Sequence, residues 1–146
     1  MTYVTEHTAL GTCLPPVATR FTVDMFKTGD IKTIHNDKEA AEREGLTAPI
    51  AVGPQVAALI FRMMRAAFRE GWIRGGRSSL TFRQPTPVDQ FAIAKGILKS
   101  KSLEGQAQVR LEFDVWVELS NGEKTIVGSA SGLVPRDPVA RPITHQ

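Results

Sequence analysis

The sequence has 146 residues, is 42% hydrophobic and 23% charged, and carries a formal net charge of +3. A chain of this length predicts a single domain, residues 1–146, whose core needs no metal or disulfide framework. The sequence lacks the long apolar run of a membrane-spanning protein, and its dispersed basic residues, without interleaved aromatic side chains, do not favour nucleic acid as a partner.

The first third of the sequence predicts short elements between irregular segments. Residues 1–15 show little periodicity and end in prolines, which predicts an irregular, loosely attached arm. Residues 17–23 are β-prone and short. Residues 37–44 predict a short helix, because Asp37 can cap its N-terminus and Gly45 can end it.

The strongest helix prediction spans Gly53 to Arg69. Apolar residues recur there every three or four positions and form one stripe, made of Val56, Leu59, Ile60, Met63, Met64 and Ala67. Pro54 lies in the first turn, where its missing N–H removes no helical hydrogen bond. We therefore predict a long helix whose apolar stripe is buried.

The second half of the sequence predicts β-strands. Residues 107–119 alternate between apolar and mainly polar side chains, which is the period of a strand with one buried face. The two-residue hairpin signal Asn121-Gly122 leads to a further strand over residues 124–134. Residues 78–83 and 91–99 supply two more, joined through a proline-containing turn, and the tail over residues 136–146 is expected to be irregular.

The order of these elements predicts an α+β fold in which four consecutive antiparallel strands form a meander around one buried helix. Such a sheet buries one face and leaves its edge strands unpaired. A homodimer or higher homo-oligomer that extends the sheet would cover those edges, so we expect self-association.

The densest group of potentially reactive side chains is TGDIKTIHND, residues 28–37. Asp30 and His35 lie there in a segment rich in turn formers, and loops of this kind often carry functional side chains. A carboxylate and an imidazole that converge on one water can activate it and return a proton. The alternative is that Asp30 caps a turn and His35 bonds to the backbone, and spacing alone favours that alternative.

The glycine that begins the long helix adds a second feature. A helix N-terminus has free N–H groups and a positive dipole end, which suit a developing oxyanion. Gly53 has no side chain, so a ligand carbonyl can approach its N–H closely. Its alternative role is that of an ordinary helix-entry glycine. The combination of a carboxylate–histidine pair and a helix-entry glycine is a more specific indication of a catalytic site than any one of these residues alone.

Two segments of the sequence resemble a known family. GDIKTIHNDKEAAEREGLTAPIAVG, residues 29–53, is similar to the hydratase motif of the MaoC-like and R-specific enoyl-CoA hydratases, in which an Asp, four residues and a His precede a short Ala-containing helix. LTFRQPTPVDQF, residues 80–91, is similar to that family's strand ending in Phe and its Pro-Val turn. The resemblance covers roughly residues 17 to 135 and implies a single hot-dog domain, an antiparallel sheet wrapped around a long central helix.

The resemblance implies a hydratase or dehydratase that adds or removes water across the 2,3 double bond of an enoyl thioester. It assigns Asp30 and His35 to the catalytic water and to proton transfer, and the Gly53 N–H to the thioester carbonyl. That carbonyl becomes enolate-like as hydroxide adds at Cβ, and the helix N-terminus would stabilise the charge. The implied substrate is an acyl-CoA or acyl carrier protein thioester, and no cofactor is implied beyond the CoA portion of the substrate.

The sequence departs from the family pattern at two places. Lys32-Thr33 stand where the family commonly has Asn-Pro, and Val52 stands where it commonly has a His before the helix-entry glycine. The resemblance places Val52, Pro54 and Gln55 near the acyl chain. These departures suggest an unusual substrate or altered chemistry.

Two other functions stay open. A hot-dog acyl thioesterase would act on the same substrates, but thioesterases of this fold generally carry an acidic residue on or near the central helix, and residues 53–69 contain no carboxylate. A subunit-type partner in a hydratase heterodimer would keep the fold and lose the Asp30 and His35 pair.

Other reactive motifs are missing from the sequence. Its histidines have no metal-ligand spacing, so we predict no metal site. The segment GWIRGGR, residues 71–77, is interpreted as a turn and not as a phosphate-binding loop. Cys13 cannot form an internal disulfide, which favours a reducing, cytoplasmic location. Among the basic side chains, Arg77 and Lys95 are candidates for contacting carrier phosphates.

Overall fold

The computed structural model describes residues 2–137 and shows one five-stranded antiparallel sheet with a long helix against one face. The strands are β1 (Val17–Arg20), β2 (Arg77–Phe82), β3 (Phe91–Glu104), β4 (Gln108–Leu119) and β5 (Lys124–Pro135). The helices are α1 (Lys38–Arg43), α2 (Gly53–Phe68) and α3 (Glu70–Gly75), and a 3-10 turn covers Val23–Phe26. No helix in this part of the chain is long and apolar enough to cross a membrane. The predicted tail lies outside the described residues from residue 138 onward.

The predicted long helix, α2, is present and forms the centre of the core. Every member of its apolar stripe is buried, and the alternating side chains of β4 face it: Val109, Leu111, Phe113, Val115 and Val117. Phe68, at the end of α2, packs edge-on against Phe113 with ring centroids 5.9 Å apart. The α+β prediction, with an antiparallel sheet around one central helix, is confirmed.

The strand order differs from the predicted meander. The consecutive strands β3, β4 and β5 pair as predicted, but the order β1-β3-β4-β5-β2 places β2 beside β5 and not beside β3. Leu80 of β2 pairs with Gly128 of β5, and a Cβ at Gly128 would lie 2.0 Å from Ser79 O. The prediction fails for β2 because this pairing depends on contacts across nearly fifty residues of sequence, which a local turn signal does not encode.

The segment interpreted as a turn forms α3 instead. Arg69, with φ of 56°, ends α2 and redirects the chain into α3. A Cβ at Gly71 would lie 1.8 Å from Leu133 O, and one at Gly75 would lie 2.3 Å from Leu133 Cδ1. These glycines therefore reflect close packing of α3 against β5 and not the turn that their sequence pattern predicts.

The N-terminal arm is irregular but not loosely attached. Val4 is fully buried, and Tyr3 N–H donates to Ala67 O at 3.0 Å. Farther along, Leu14 N–H donates to Gly96 O at 2.9 Å. The arm is thus bonded to both α2 and β3.

Candidate active site

A cleft of about 320 Å³ opens where the start of α2 meets the end of β2. It brings together residues from four parts of the sequence, and its walls are mostly apolar. They consist of His35, Ile50, Ala51, Gly53, Val56, Phe82, Arg83, Gln84, Pro85, Thr86 and Ile126. Two of the three predicted catalytic residues, His35 and Gly53, therefore share one cleft.

The orientation of the His35 ring is set by a backbone hydrogen bond. Its Nδ1 lies 2.8 Å from Ile50 O. Because a carbonyl oxygen can only accept, Nδ1 must carry the hydrogen, and Nε2 of the neutral ring then keeps its lone pair. Neither ring nitrogen has a further hydrogen bond within residues 2–137. His35 can therefore accept a proton at Nε2 from a group in the cleft.

The backbone around His35 is held by several local bonds. His35 N–H donates to Thr33 Oγ1 at 3.1 Å, and Ile50 N–H donates to Ile34 O at 3.0 Å. Asp37 caps α1 as predicted, because its carboxylate accepts a 2.9 Å bond from a backbone N–H of that helix. These bonds fix the His35 turn between α1 and the entry to α2.

Gly53 is the first residue of α2, as predicted. Its N–H has no hydrogen-bond partner within the described part of the chain, and Pro54 has no N–H to offer. A Cβ at Gly53 would meet the Phe82 ring at 3.2 Å. The glycine thus lets the Phe82 ring lie close to the start of α2, where it leaves an unpaired N–H donor at a helix N-terminus that is suited to an oxyanion.

Asp30 is exposed on a tight turn outside the cleft wall. Thr28 and Ile31 close this turn, and Gly29 has φ of 65°. Across the described residues, no hydrogen bond or ion pair joins Asp30 to His35. The turn nevertheless adjoins the His35 turn, because Asn36 Nδ2 donates to Ile31 O at 3.2 Å. The structure brings the two turns together without placing the carboxylate in the cleft.

The predicted substrate-binding residues lie outside the cleft wall. The entry to α2 contains three of them, Val52, Pro54 and Gln55. The cleft wall at this entry is formed instead by Ala51, Gly53 and Val56. Arg77 and Lys95 lie elsewhere on the sheet and face carboxylates: Arg77 Nη1 is 3.9 Å from Glu104, and Lys95 Nζ is 3.3 Å from Glu118.

Sequence reasoning missed Arg83, the charged side chain that lines the cleft beside His35. Its backbone N–H donates to Thr125 O at 2.8 Å, and its guanidinium has no ion pair or hydrogen bond with any described residue. The family-like segment over residues 80–91 contains Arg83 and could have drawn attention to it. A guanidinium of this kind can bind an anionic group. The described residues contain no group of three or more His, Cys, Asp or Glu side chains that could hold a metal.

No protein-family model matches the sequence, and no curated protein matches it. Solved structures do match it. A MaoC-like dehydratase from Rhodospirillum rubrum is 18% identical with a TM-score of 0.72, over 92% of this chain and 97% of that one. The (R)-hydratase from A. caviae involved in PHA biosynthesis is 19% identical with a TM-score of 0.68, over 89% of this chain and 99% of that one.

A third structure shows the same fold in duplicate. A conserved hypothetical protein from Mycobacterium tuberculosis with a double hot-dog fold is 12% identical with a TM-score of 0.69, and the match covers 92% of this chain but 44% of that one. At these identities the likeness shows the fold. The chain has the hot-dog fold found in MaoC-like dehydratases and R-hydratases, so the fold implied by the sequence resemblance is confirmed.

Proposed function

We propose that this chain is a hydratase or dehydratase that adds or removes water across the 2,3 double bond of an enoyl thioester of CoA or acyl carrier protein. One observation carries the proposal: His35, with Nδ1 bonded to Ile50 O, lines the same cleft as the unpaired N–H of Gly53. The likeness in fold to a dehydratase and an (R)-hydratase supports the reaction class.

In the hydration direction, the substrate carbonyl accepts a hydrogen bond from Gly53 N–H. His35 and Asp30 remove a proton from a water, whose oxygen bonds to Cβ while the C=C electron pair moves toward the carbonyl oxygen. The helix N-terminus stabilises the resulting enolate. The enolate then takes a proton at Cα from the protonated member of the pair, which restores the thioester.

The alternatives from the sequence differ in their support. The cleft wall carries no carboxylate, and neither does α2 over Gly53–Phe68, so the structure offers a thioesterase no acidic residue at the helix. One observation favours a subunit-type partner: Asp30 lies outside the cleft wall. Such a partner would keep the fold without catalysing hydration by itself.

Assays of the purified chain with a panel of enoyl-CoA thioesters test the proposal, by following loss of the conjugated chromophore and release of free thiol. We expect hydration without thiol release. Asp30→Asn and His35→Ala should each lower turnover by about 10²–10⁴ and should be far from additive, since both act on one water. Asp24→Asn and His7→Ala are matched controls, because both side chains are exposed and outside the cleft.

Three outcomes would contradict the proposal. Thiol release without hydration would identify a thioesterase. Absence of both reactions across the panel would support the partner-subunit alternative. If the Asp30→Asn and His35→Ala variants stay within a few-fold of the wild-type rate, these two residues are not the acid/base pair.

We further propose that the active form is a homodimer. The edge strand β2 has exposed side chains, and it ends at Phe82, which lines the cleft and is 54% exposed. A second copy that pairs with β2 would extend the sheet and cover the open side of the cleft. The double hot-dog protein, of which this chain matches 44%, supports pairing of two such units.

A further inference from the structure

Asn36, the residue after His35, makes more structural bonds than either proposed acid/base residue. Its Oδ1 accepts from Thr33 N–H at 2.9 Å. Its Nδ2 donates to Phe26 O at 3.0 Å and to Ile31 O at 3.2 Å. Both hydrogens of the amide and its carbonyl oxygen are therefore engaged, and the side chain is partly buried.

The two carbonyl oxygens bonded by Asn36 bracket the Asp30 turn. Phe26 precedes the turn and Ile31 ends it, so their bonds to one amide hold both ends of residues 27–30. Within the turn itself the bonds are short-range: Ile31 N–H donates to Thr28 O at 3.2 Å, and Thr28 Oγ1 donates to Ile31 O at 3.3 Å. These local bonds shape the turn without attaching it to His35.

The attachment to His35 comes from Asn36. In the described part of the chain, no other hydrogen bond joins residues 22–31 to residues 33–37. The Phe26 side chain, 5% exposed, also contacts His35, with the two ring centroids 6.2 Å apart. Asp30 is next to Ile31 and His35 is next to Asn36, so the two Asn36 bonds restrain how far apart the two proposed catalytic residues lie.

We propose that Asn36 is a positioning residue that holds the Asp30 turn against the His35 turn and so limits the distance that the Asp30 carboxylate must cover to act with the imidazole. This inference rests on the proposed hydratase function. Its physical basis is that catalysis by two groups depends on their mutual geometry, and a misplacement of about 1 Å can cost about 10²-fold in rate. The role requires two donors and one acceptor in one short side chain, which an asparagine supplies and an ionised aspartate does not.

Asn36→Asp is the sharpest variant, since it has nearly the same shape and keeps the acceptor for Thr33 N–H. It removes the donors and turns an oxygen toward the Phe26 and Ile31 carbonyls. We expect turnover to fall by about 10–10² while the Michaelis constant stays within a few-fold, because Asn36 is not in the cleft wall. Asn36→Ala should act in the same direction. Asn121→Asp is the control, because Asn121 makes its bond in the distant β4–β5 hairpin.

A double-mutant cycle separates positioning from a purely structural role. If Asn36 acts through Asp30, Asn36→Asp should cause almost no further loss in an Asp30→Asn background. Additive losses would overturn the inference. So would a wild-type rate in both Asn36 variants.

Amide hydrogen exchange gives a readout that needs no activity. The backbone amide of Ile31, which donates to Thr28 O, should exchange faster in both Asn36 variants, while those in the middle of α2 should not change. Unchanged exchange at Ile31 would overturn the inference even if turnover falls. If the wild-type chain hydrates no thioester, the proposed function fails and the positioning role proposed for Asn36 fails with it. If the wild type is active and the Asn36 variants behave like it, this inference alone fails.

Discussion

For His35, the structural alternative and the catalytic alternative predicted from the sequence are compatible with each other. The backbone bond expected of a structural histidine is present, from Nδ1 to Ile50 O at 2.8 Å. That bond satisfies one ring nitrogen and, because the carbonyl can only accept, it leaves Nε2 as a proton acceptor. The structural bond is therefore compatible with the proposed catalytic role of the ring. Asp30 differs, because its side chain is exposed and makes no hydrogen bond with another described residue, so its catalytic role stays a prediction.

Gly53→Val tests the oxyanion site at the scale of one residue. A Cβ at this position would meet the Phe82 ring at 3.2 Å, and the further valine methyl groups would occupy the space beside the free N–H. We expect turnover to fall by up to about 10²–10³, the effect of losing one oxyanion donor. Steady-state kinetics with the best substrate of the enoyl-CoA panel would measure the loss.

A control for Gly53→Val separates catalysis from helix stability. Ala58→Val also introduces a β-branched residue into α2, at a position outside the cleft wall. Its turnover should stay near that of the wild type. Wild-type turnover in Gly53→Val would show that the Gly53 N–H does not bind the reacting carbonyl.

At the scale of elements, one arginine joins the β3–β4 hairpin to its neighbours. Arg110 of β4 is 8% exposed and binds both carboxylate oxygens of Glu104, at 2.7 and 2.9 Å. It also donates to Gly75 O at 2.8 Å and to Ser131 Oγ at 2.9 Å. A single buried guanidinium thus connects β3, β4, β5 and α3, and its planar donors suit this shared arrangement.

The Glu104–Arg110 pair predicts a pH-dependent stability. The hydrogen bond from Arg110 lowers the pKa of Glu104 from its ordinary value of 4.5, against an opposing effect of desolvation. Because the folded-state pKa is depressed, the ionised carboxylate stabilises the fold above the ordinary pKa, and this contribution is lost as the pH falls through the folded-state pKa. Glu104→Gln should therefore lower the unfolding midpoint at neutral pH and should differ less from the wild type in acid.

Chemical denaturation at about pH 7 and about pH 3 would measure the effect of Glu104→Gln. Glu123→Gln is the control, because Glu123 is an exposed carboxylate without an ion pair in residues 2–137. The control should match the wild type at both pH values. A Glu104→Gln variant whose stability deficit is the same at both pH values would contradict the assignment of this pair.

At the scale of the whole molecule, the sheet has two different edges. The edge strand β1 has four residues, whereas β2 has six and lies beside the cleft. The outward hydrogen-bonding groups of an edge strand can pair with another chain. The longer edge is therefore the better surface for the proposed second copy, which would lie there beside the proposed active site.

Light scattering should give a mass of about twice the 16.0 kDa formula mass at micromolar concentration. Thr81→Lys, on exposed β2, places like charges near each other across the proposed interface and should weaken the dimer and lower activity together. Ala18→Lys, at an exposed position of β1, is the matched control and should leave both the mass and the activity unchanged. A monomeric wild-type chain would refute the dimer. If Ala18→Lys causes dissociation and Thr81→Lys does not, the interface lies at β1 and not at β2.

The sequence by itself determined the elements that depend on local regularity. These elements are the apolar stripe of α2, the alternation of β4 and the Asp37 cap of α1. Each depends on interactions between residues a few positions apart, so the local sequence pattern is enough to predict it. The same holds for the helix-entry position of Gly53, which follows from where the periodicity starts. These predictions are confirmed because the physical interactions are short-range in sequence.

Only the tertiary structure decided the features that join distant parts of the chain. The pairing of β2 with β5, the packing of Gly71 against Leu133 and the position of Arg83 in the cleft each depend on a residue far away in sequence. The bond that orients His35 comes from Ile50, fifteen residues later. No local pattern specifies such partners, because they are selected by how the sheet closes around α2, and that closure depends on the packing of the whole core.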